Sequence, residues 1–175
     1  MSKLEVREAR PEDAQVIAQV HVDSWRSTYR GIVPDAHLAG LSYERRQQFW
    51  SVTLKTAEAK ESVYVAEDAA GEVVGFASAG PERSGSPDYT GELYAIYLLQ
   101  AFQRQGFGRR LTHAVSERLL RLGHTSMLLW VVAENPARHF YESIGGRPVQ
   151  SQPIEIGGTK LEEIAYGWDD IKGLL

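Results

Sequence analysis

The sequence predicts an α+β fold (an α/β three-layer arrangement) in which helices cover a mixed sheet of about seven strands. Three observations predict it. Segments with period-two or continuous apolar character are interleaved with segments whose apolar residues recur at helical spacing. Their order is β-α-α-β-β-β-α-β-α-β-β. A chain of 175 residues with 43% hydrophobic and 24% charged residues has the length and composition of one domain, residues 1–175.

Leu4 to Arg7 reads as a short first strand. Pro11, Glu12 and Asp13 make a good helix opening, with proline early and acids in the first turn. Ala14, Ile17, Ala18, His21 and Trp25 then recur on one helical face. Gly31 to Gly40 reads as a loop or a short turn of helix, and Ser42 can cap a second helix running to about Leu54. Ser62 to Asp68 and Glu72 to Gly80 form a hairpin around Ala70-Gly71. Pro81 to Gly91 is rich in Gly, Ser, Pro and Asp, so it reads as a loop. Glu92 to Leu99 is mostly apolar, as a central strand is. Phe107, Leu111, Val115, Leu119 and Leu122 mark an amphipathic helix that Gly123 can end. Ser126 to Val132 is another buried strand. Pro136 to Ile144 is a short helix stopped by Gly145-Gly146, and the last two strands meet at Gly157-Gly158.

Composition excludes several chemistries. The absence of cysteine removes disulfides, thiolate metal sites and a cysteine acyl-enzyme. The five histidines form no His-x-His or His-Glu-x-x-His pattern, so no metal is expected. No Gly-x-Ser-x-Gly elbow of a serine hydrolase occurs. A net charge of −4 argues weakly against nucleic acid and suits cationic substrates. No apolar run approaches the roughly 20 residues that span a bilayer, and the first residues lack a signal peptide's apolar stretch. A soluble cytoplasmic protein is the expectation.

The most informative segment is Gln103-Arg104-Gln105-Gly106-Phe107-Gly108, between a buried strand and an amphipathic helix. Gly106 and Gly108 allow close backbone approach, and the helix start presents unsatisfied N–H groups at the positive end of its dipole. Together these suit a pyrophosphate, with Arg104, Arg109 and Arg110 adding charge. The loop has neither the Gly-Lys-Ser/Thr of a P-loop nor the third glycine of a dinucleotide fingerprint. Taken alone, it reads equally as a ligand-free turn.

Its surroundings add a family resemblance. Ile96 to Gly108 resembles motif A of the GNAT (Gcn5-related N-acetyltransferase) superfamily: a strand, a short loop and Gln/Arg-x-x-Gly-x-Gly/Ala opening a helix. Asn135-Pro136-Ala137-Arg138-His139-Phe140-Tyr141-Glu142-Ser143-Ile144-Gly145 resembles motif B, and the two stand in the family's order and separation. The resemblance implies the GNAT fold: a mixed, mostly antiparallel sheet with helices on both faces, whose two central parallel strands, Glu92–Leu99 and Ser126–Val132, splay apart. It implies acetyl-CoA as co-substrate. The pantetheine arm would bond the backbone of Leu98 and Leu99, and Gln103, Arg104, Gln105, Gly106, Phe107 and Gly108, with Arg109, would hold the pyrophosphate. Asn135 would reach the pantetheine, and Phe140 and Tyr141 would line the thioester end. Gly146 replaces a frequent aromatic after motif B, and Leu99-Gln100 replaces the usual residues before the loop.

Acetyl transfer from a thioester needs a neutral amine, a stabilised oxyanion and a proton for the leaving thiolate. Without cysteine, direct attack in a ternary complex is the expected route. Tyr141, at the motif B tyrosine, is the candidate acid. Glu92 is the candidate base, facing the cleft if Tyr94 and Ile96 share its side of the strand. The first two helices usually form the family's acceptor wall, here Trp25 to Pro34. Trp25 and Tyr29, four apart, could stack on an amine or pack the helix on the sheet, and Tyr94, Tyr97 and the Pro81–Gly91 loop are further walls. The favoured acceptor is a small-molecule amine. A protein N-terminus or lysine, or a non-catalytic acyl-CoA-binding module, are the alternatives. An open groove beside the last hairpin would favour peptide; a closed, aromatic-lined pocket would favour a small amine. Relatives often pair through sheet edges or helices, so a homodimer is compatible with the sequence, which marks no surface for it.

Overall fold

The computed structural model describes residues 4–56 and 60–175. The alternating segments become strands β1 (Glu5–Glu8), β2 (Ser62–Glu67), β3 (Val73–Pro81), β4 (Gly91–Leu98), β5 (Met127–Val132), β6 (Arg147–Ile156) and β7 (Thr159–Trp168). They form one sheet in the order β1-β2-β3-β4-β5-β7-β6. Short connections between β2 and β3, and between β6 and β7, permit only antiparallel pairing. β4 and β5 are joined instead through helix α4 (Phe107–Arg121), and they alone run parallel.

The helices sort to two faces. α1 (Ala14–Thr28) and α3 (Tyr43–Thr56) cover one, where Ile17, Ala18 and Trp50 pack on Val63, Val65 and Phe76. α4 covers the other through Phe107, Leu111, Val115 and Leu119, against Ala77, Leu93 and Met127. The 31–40 segment contains α2 (Asp35–Ala39), and motif B forms the short α5 (Arg138–Ser143). α1 starts where expected because Asp13 accepts the Arg10 N–H at 2.7 Å and is gripped by Arg7 at 2.8 and 3.0 Å.

Two features of β4 set where the sheet opens and which side chains face it. Its pairing with β5 is confined to Gly91–Met127 and Glu92–Leu128; beyond these the strands part. β5 stays paired to β7 along its whole length, and β4 to β3, so the opening lies between the two parallel strands alone. The second feature is a bulge. Ser78 faces Ala95 but Ala79 faces Leu93, which leaves Tyr94 without an opposite residue. The bulge switches the faces: Leu93, Ile96 and Leu98 belong to the α4 side, whereas Ala95 and Tyr97 belong to the α1–α3 side. Glu92 and Ile96 therefore do not share a side, and simple alternation along this strand fails.

His21 lies on the α1–α3 side, buried against Phe76 and stacked on Tyr97 at 5.2 Å. Its Nδ1 accepts the indole N–H of Trp50 at 3.2 Å. Burial, helped by Arg46, pushes its pKa down from 6.5 to about 3. An unfolded chain takes up this proton near pH 6.5, while the folded chain refuses it until about pH 3. The stabilisation is complete above pH 6.5 and is lost as the pH falls from there toward 3. The melting temperature should decline across that window, and His21→Gln should make the decline shallower. An identical slope in both proteins would refute this origin.

Candidate active site

The parting of β4 from β5 opens a cleft of about 600 Å³. In a strand, successive main-chain groups point to opposite edges. The Leu99 N–H donates to Val74 O of β3 at 2.9 Å, and its carbonyl accepts from Phe102. The Leu98 amide must then point the other way, into the opening. Of the two backbone positions expected to meet a pantetheine, Leu98 borders the cleft and Leu99 is already engaged.

The loop after β4 turns twice through left-handed backbone, at Arg104 (φ 61°) and at Gly106 (φ 92°). The second turn needs glycine, since a side chain there carries a steric cost. α4 starts at the next residue, and its first turn, whose N–H groups have no partner within the helix, borders the cleft at Gly108 and Arg109. Gln103, Arg104, Gly106, Gly108 and Arg109 line that mouth. Gln103 also donates to Leu98 O at 3.3 Å. Gln105 turns back to donate to Ala101 O, and the Phe107 ring is buried in the core against Phe102. Those two residues offer only main chain to a ligand. Gly108 faces the Phe140 ring so closely that an added Cβ would lie 3.1 Å from it.

Asn135, Phe140 and Tyr141 line the opposite wall. Asn135 is 5% exposed; its Oδ1 accepts the Ala137 N–H at 2.9 Å and its Nδ2 donates to the Tyr29 hydroxyl at 3.1 Å. Tyr141 is buried among Phe140, Tyr166 and Trp168. Burial, with Tyr29 nearby, pushes its phenol pKa far up, so the hydroxyl keeps its proton. Ser27, Thr28, Ile96, Tyr97 and His139 also line the cleft. Tyr97 stands among the further walls read from the sequence, Ser27 and Thr28 lie in the Trp25–Pro34 stretch expected to form the acceptor wall, and Ile96 and His139 lie in motifs A and B without an assigned role. Ser27 and Thr28 carry no motif and arrive through the packing of α1.

The remaining candidates lie outside this wall. Glu92 is 5% exposed and bound to Arg83: the Arg83 N–H reaches Oε2 at 2.9 Å and Nη2 reaches Oε1 at 3.0 Å. The Arg83 guanidinium covers the Tyr94 ring at 3.6 Å, and the Tyr94 hydroxyl donates to Pro81 O at 2.6 Å. Burial pushes the Tyr94 phenol up to about 12. Glu92 and Tyr94 thus form an ion-pair cluster with Arg83, and neither borders the cleft. Trp25 packs on Tyr29 at 4.4 Å, and Tyr29 is only 4% exposed. Both belong to a small core with Val33, Leu38 and Val132.

That small core also ties the β6–β7 hairpin to α2. The tip of the β6–β7 hairpin reaches α2, where an added Cβ on Gly157 would lie 2.7 Å from His37. Ile156 and Leu161 of the hairpin join the same apolar cluster. Among the described residues, no group of three or more His, Cys, Asp or Glu could hold a metal. No helix among them is long and apolar enough to cross a membrane.

A sheet parted between its parallel strands, with a helix N-terminus at the mouth and a protonated phenol in the wall, defines an N-acetyltransferase fold. The FR47-like protein family model matches residues 85–152, which hold the loop, α4 and motif B. The chain is 45% identical over 169 residues to the uncharacterized N-acetyltransferase YuaI of Bacillus subtilis strain 168, covering 97% of this chain and 95% of that one. It also shares its fold with PaiA N-acetyltransferase from Thermoplasma acidophilum in complex with coenzyme A (TM-score 0.70, 19% identity, 92% and 98% of the chains). A second such structure is YncA of Salmonella typhimurium with acetyl-CoA (TM-score 0.70, 21% identity, 95% and 93%). The chain belongs to the GNAT superfamily of N-acetyltransferases.

Proposed function

We propose that the protein moves an acetyl group from acetyl-CoA to the primary amine of a small molecule by direct attack in a ternary complex. The observation that carries this reading is the parted β4–β5 pair with α4 at its mouth. An extended ligand can add itself to the free edge at Leu98 as a strand would, with its anionic end on the helix N-terminus. The coenzyme A held by PaiA and the acetyl-CoA held by YncA support this donor. The loop amides from Gln103 to Gly108 and the Arg109 guanidinium hold the diphosphate, and Asn135 donates to the pantetheine. Tyr141 gives its proton to the departing thiolate.

The acceptor preference is supported by the contact of the hairpin tip with His37, which in this reading leaves less room beside the last hairpin for a peptide. The aromatic pair of Trp25 and Tyr29 stands behind that wall as packing. In this reading the carboxylate of Glu92 holds Arg83, and the amine loses its proton to water. Glu92→Gln is therefore expected to lower stability by about 1 kcal/mol, the scale of a weakened hydrogen-bonded pair. It should leave the pH–rate profile in place. A displaced basic limb would return the base role to Glu92.

A thiol-release assay with acetyl-CoA across small amines and peptides tests the whole reading. Turnover is expected with small amines and not with peptides. Turnover of peptides alone would overturn the acceptor assignment, and CoA binding without thiol release from any amine would leave a non-catalytic module.

A further inference from the structure

We infer that Tyr29 is a positioning residue for the cofactor: it holds the Asn135 amide so that its free N–H faces the cleft. This role rests on the proposed function, in which the cleft takes acetyl-CoA.

An asparagine side chain carries an acceptor oxygen and two N–H donors on ends of nearly the same shape. Something must decide which end meets the ligand. In this protein the Ala137 N–H decides it, and the Tyr29 hydroxyl, which can donate or accept, holds the amide as it is set. Only an oxygen can accept the Ala137 N–H, so Oδ1 is turned toward the start of α5, at 2.9 Å. Nδ2 then points to Tyr29, and its bond to the phenol oxygen at 3.1 Å uses one of its two hydrogens. The other hydrogen remains for the cleft that Asn135 borders. Both partners are almost wholly shielded, Asn135 at 5% and Tyr29 at 4% exposure. Water therefore competes poorly for either bond, and a lost partner is costly.

Tyr29 is itself well anchored. Its ring sits with Val33, Leu38 and Val132 and against Trp25, and its N–H bonds Trp25 O at 2.9 Å. The hydroxyl is thus set by the core that joins the end of α1 to α2 and the hairpin. A ring so enclosed has no open face for an amine. Its hydroxyl serves the cofactor wall 106 residues away in sequence.

Calorimetric titration of coenzyme A into four proteins tests this: wild type, Tyr29→Phe, Asn135→Ala and the double variant. Phenylalanine keeps the ring and removes only the hydroxyl. Tyr29→Phe should weaken coenzyme A binding about five-fold, the effect of one hydrogen bond of ordinary worth. The acceptor KM should stay unchanged. In the Asn135→Ala background the same substitution should have no further effect on binding. Asn135→Asp gives a second arm: it keeps an oxygen for Ala137 and an acceptor for the phenol but presents no N–H, so it should bind coenzyme A as weakly as Asn135→Ala. Wild-type affinity in Tyr29→Phe, or a five-fold loss that persists in the Asn135→Ala background, would overturn the positioning role. A raised acceptor KM with unchanged coenzyme A affinity would make Tyr29 an acceptor residue instead. Absence of coenzyme A binding by the wild type would sink the cofactor reading itself.

Discussion

Gly108→Trp is expected to abolish acetyl-CoA binding while the protein still melts cooperatively. Gly108 is the second residue of α4, and its Cα faces the edge of the Phe140 ring across the cleft mouth. An added Cβ would lie 3.1, 3.3 and 3.5 Å from three atoms of that ring. A methyl group fits if the ring yields by a few tenths of an ångström. An indole does not, and it must turn into the opening that the pyrophosphate arm needs. Gly108→Ala separates this from a folding defect. Alanine is the better helix former by about 1 kcal/mol, so local stability should hold or rise while cofactor affinity falls. Opposite signs in the two measurements are hard to obtain from general damage. Calorimetry showing wild-type affinity in Gly108→Trp would refute the cradle.

Tyr141→Phe is expected to lower kcat by about a hundred-fold, the lower end of what one general acid contributes, with little change in coenzyme A affinity. Burial makes ionisation of this phenol difficult, so it stays protonated well above the pH at which an ordinary phenol ionises. The alkaline limb of the pH–rate profile should therefore belong to other groups and remain in place in the variant. A thioester whose thiol is more acidic needs less protonation on leaving, so it should recover part of the lost rate. Packing alone would not produce that recovery, because Phe fills the same space among Phe140, Tyr166 and Trp168. Equal turnover by variant and wild type would remove the acid assignment.

Gly157 belongs to a tight turn whose residues both have positive φ, 58° and 83° at Gly157 and Gly158. That turn brings the hairpin tip down on His37 of α2. The contact depends on a residue with no side chain at that point.

Much of this protein is local physics, and the sequence by itself determined it. Helix and strand periods, the Pro11–Asp13 opening of α1 and the Gly106 turn into α4 are decided by residues within a few positions of one another. The element order comes from them, as does the loop with its motif B companion. Only the tertiary structure decided the rest. The unpaired Tyr94 in β4 is set by its register with β3, and it takes Glu92 off the side that strand alternation predicts. Arg83 claims Glu92 from a loop that reads as ordinary surface. Tyr29 meets Asn135 across 106 residues. His37 meets a turn near the other end of the chain. Whether nine residues apart, as Arg83 and Glu92 are, or 106, as Tyr29 and Asn135 are, the partners carry no mark of one another in the sequence. Packing and strand register bring them together, and the bulge in β4 shifts that register away from simple alternation.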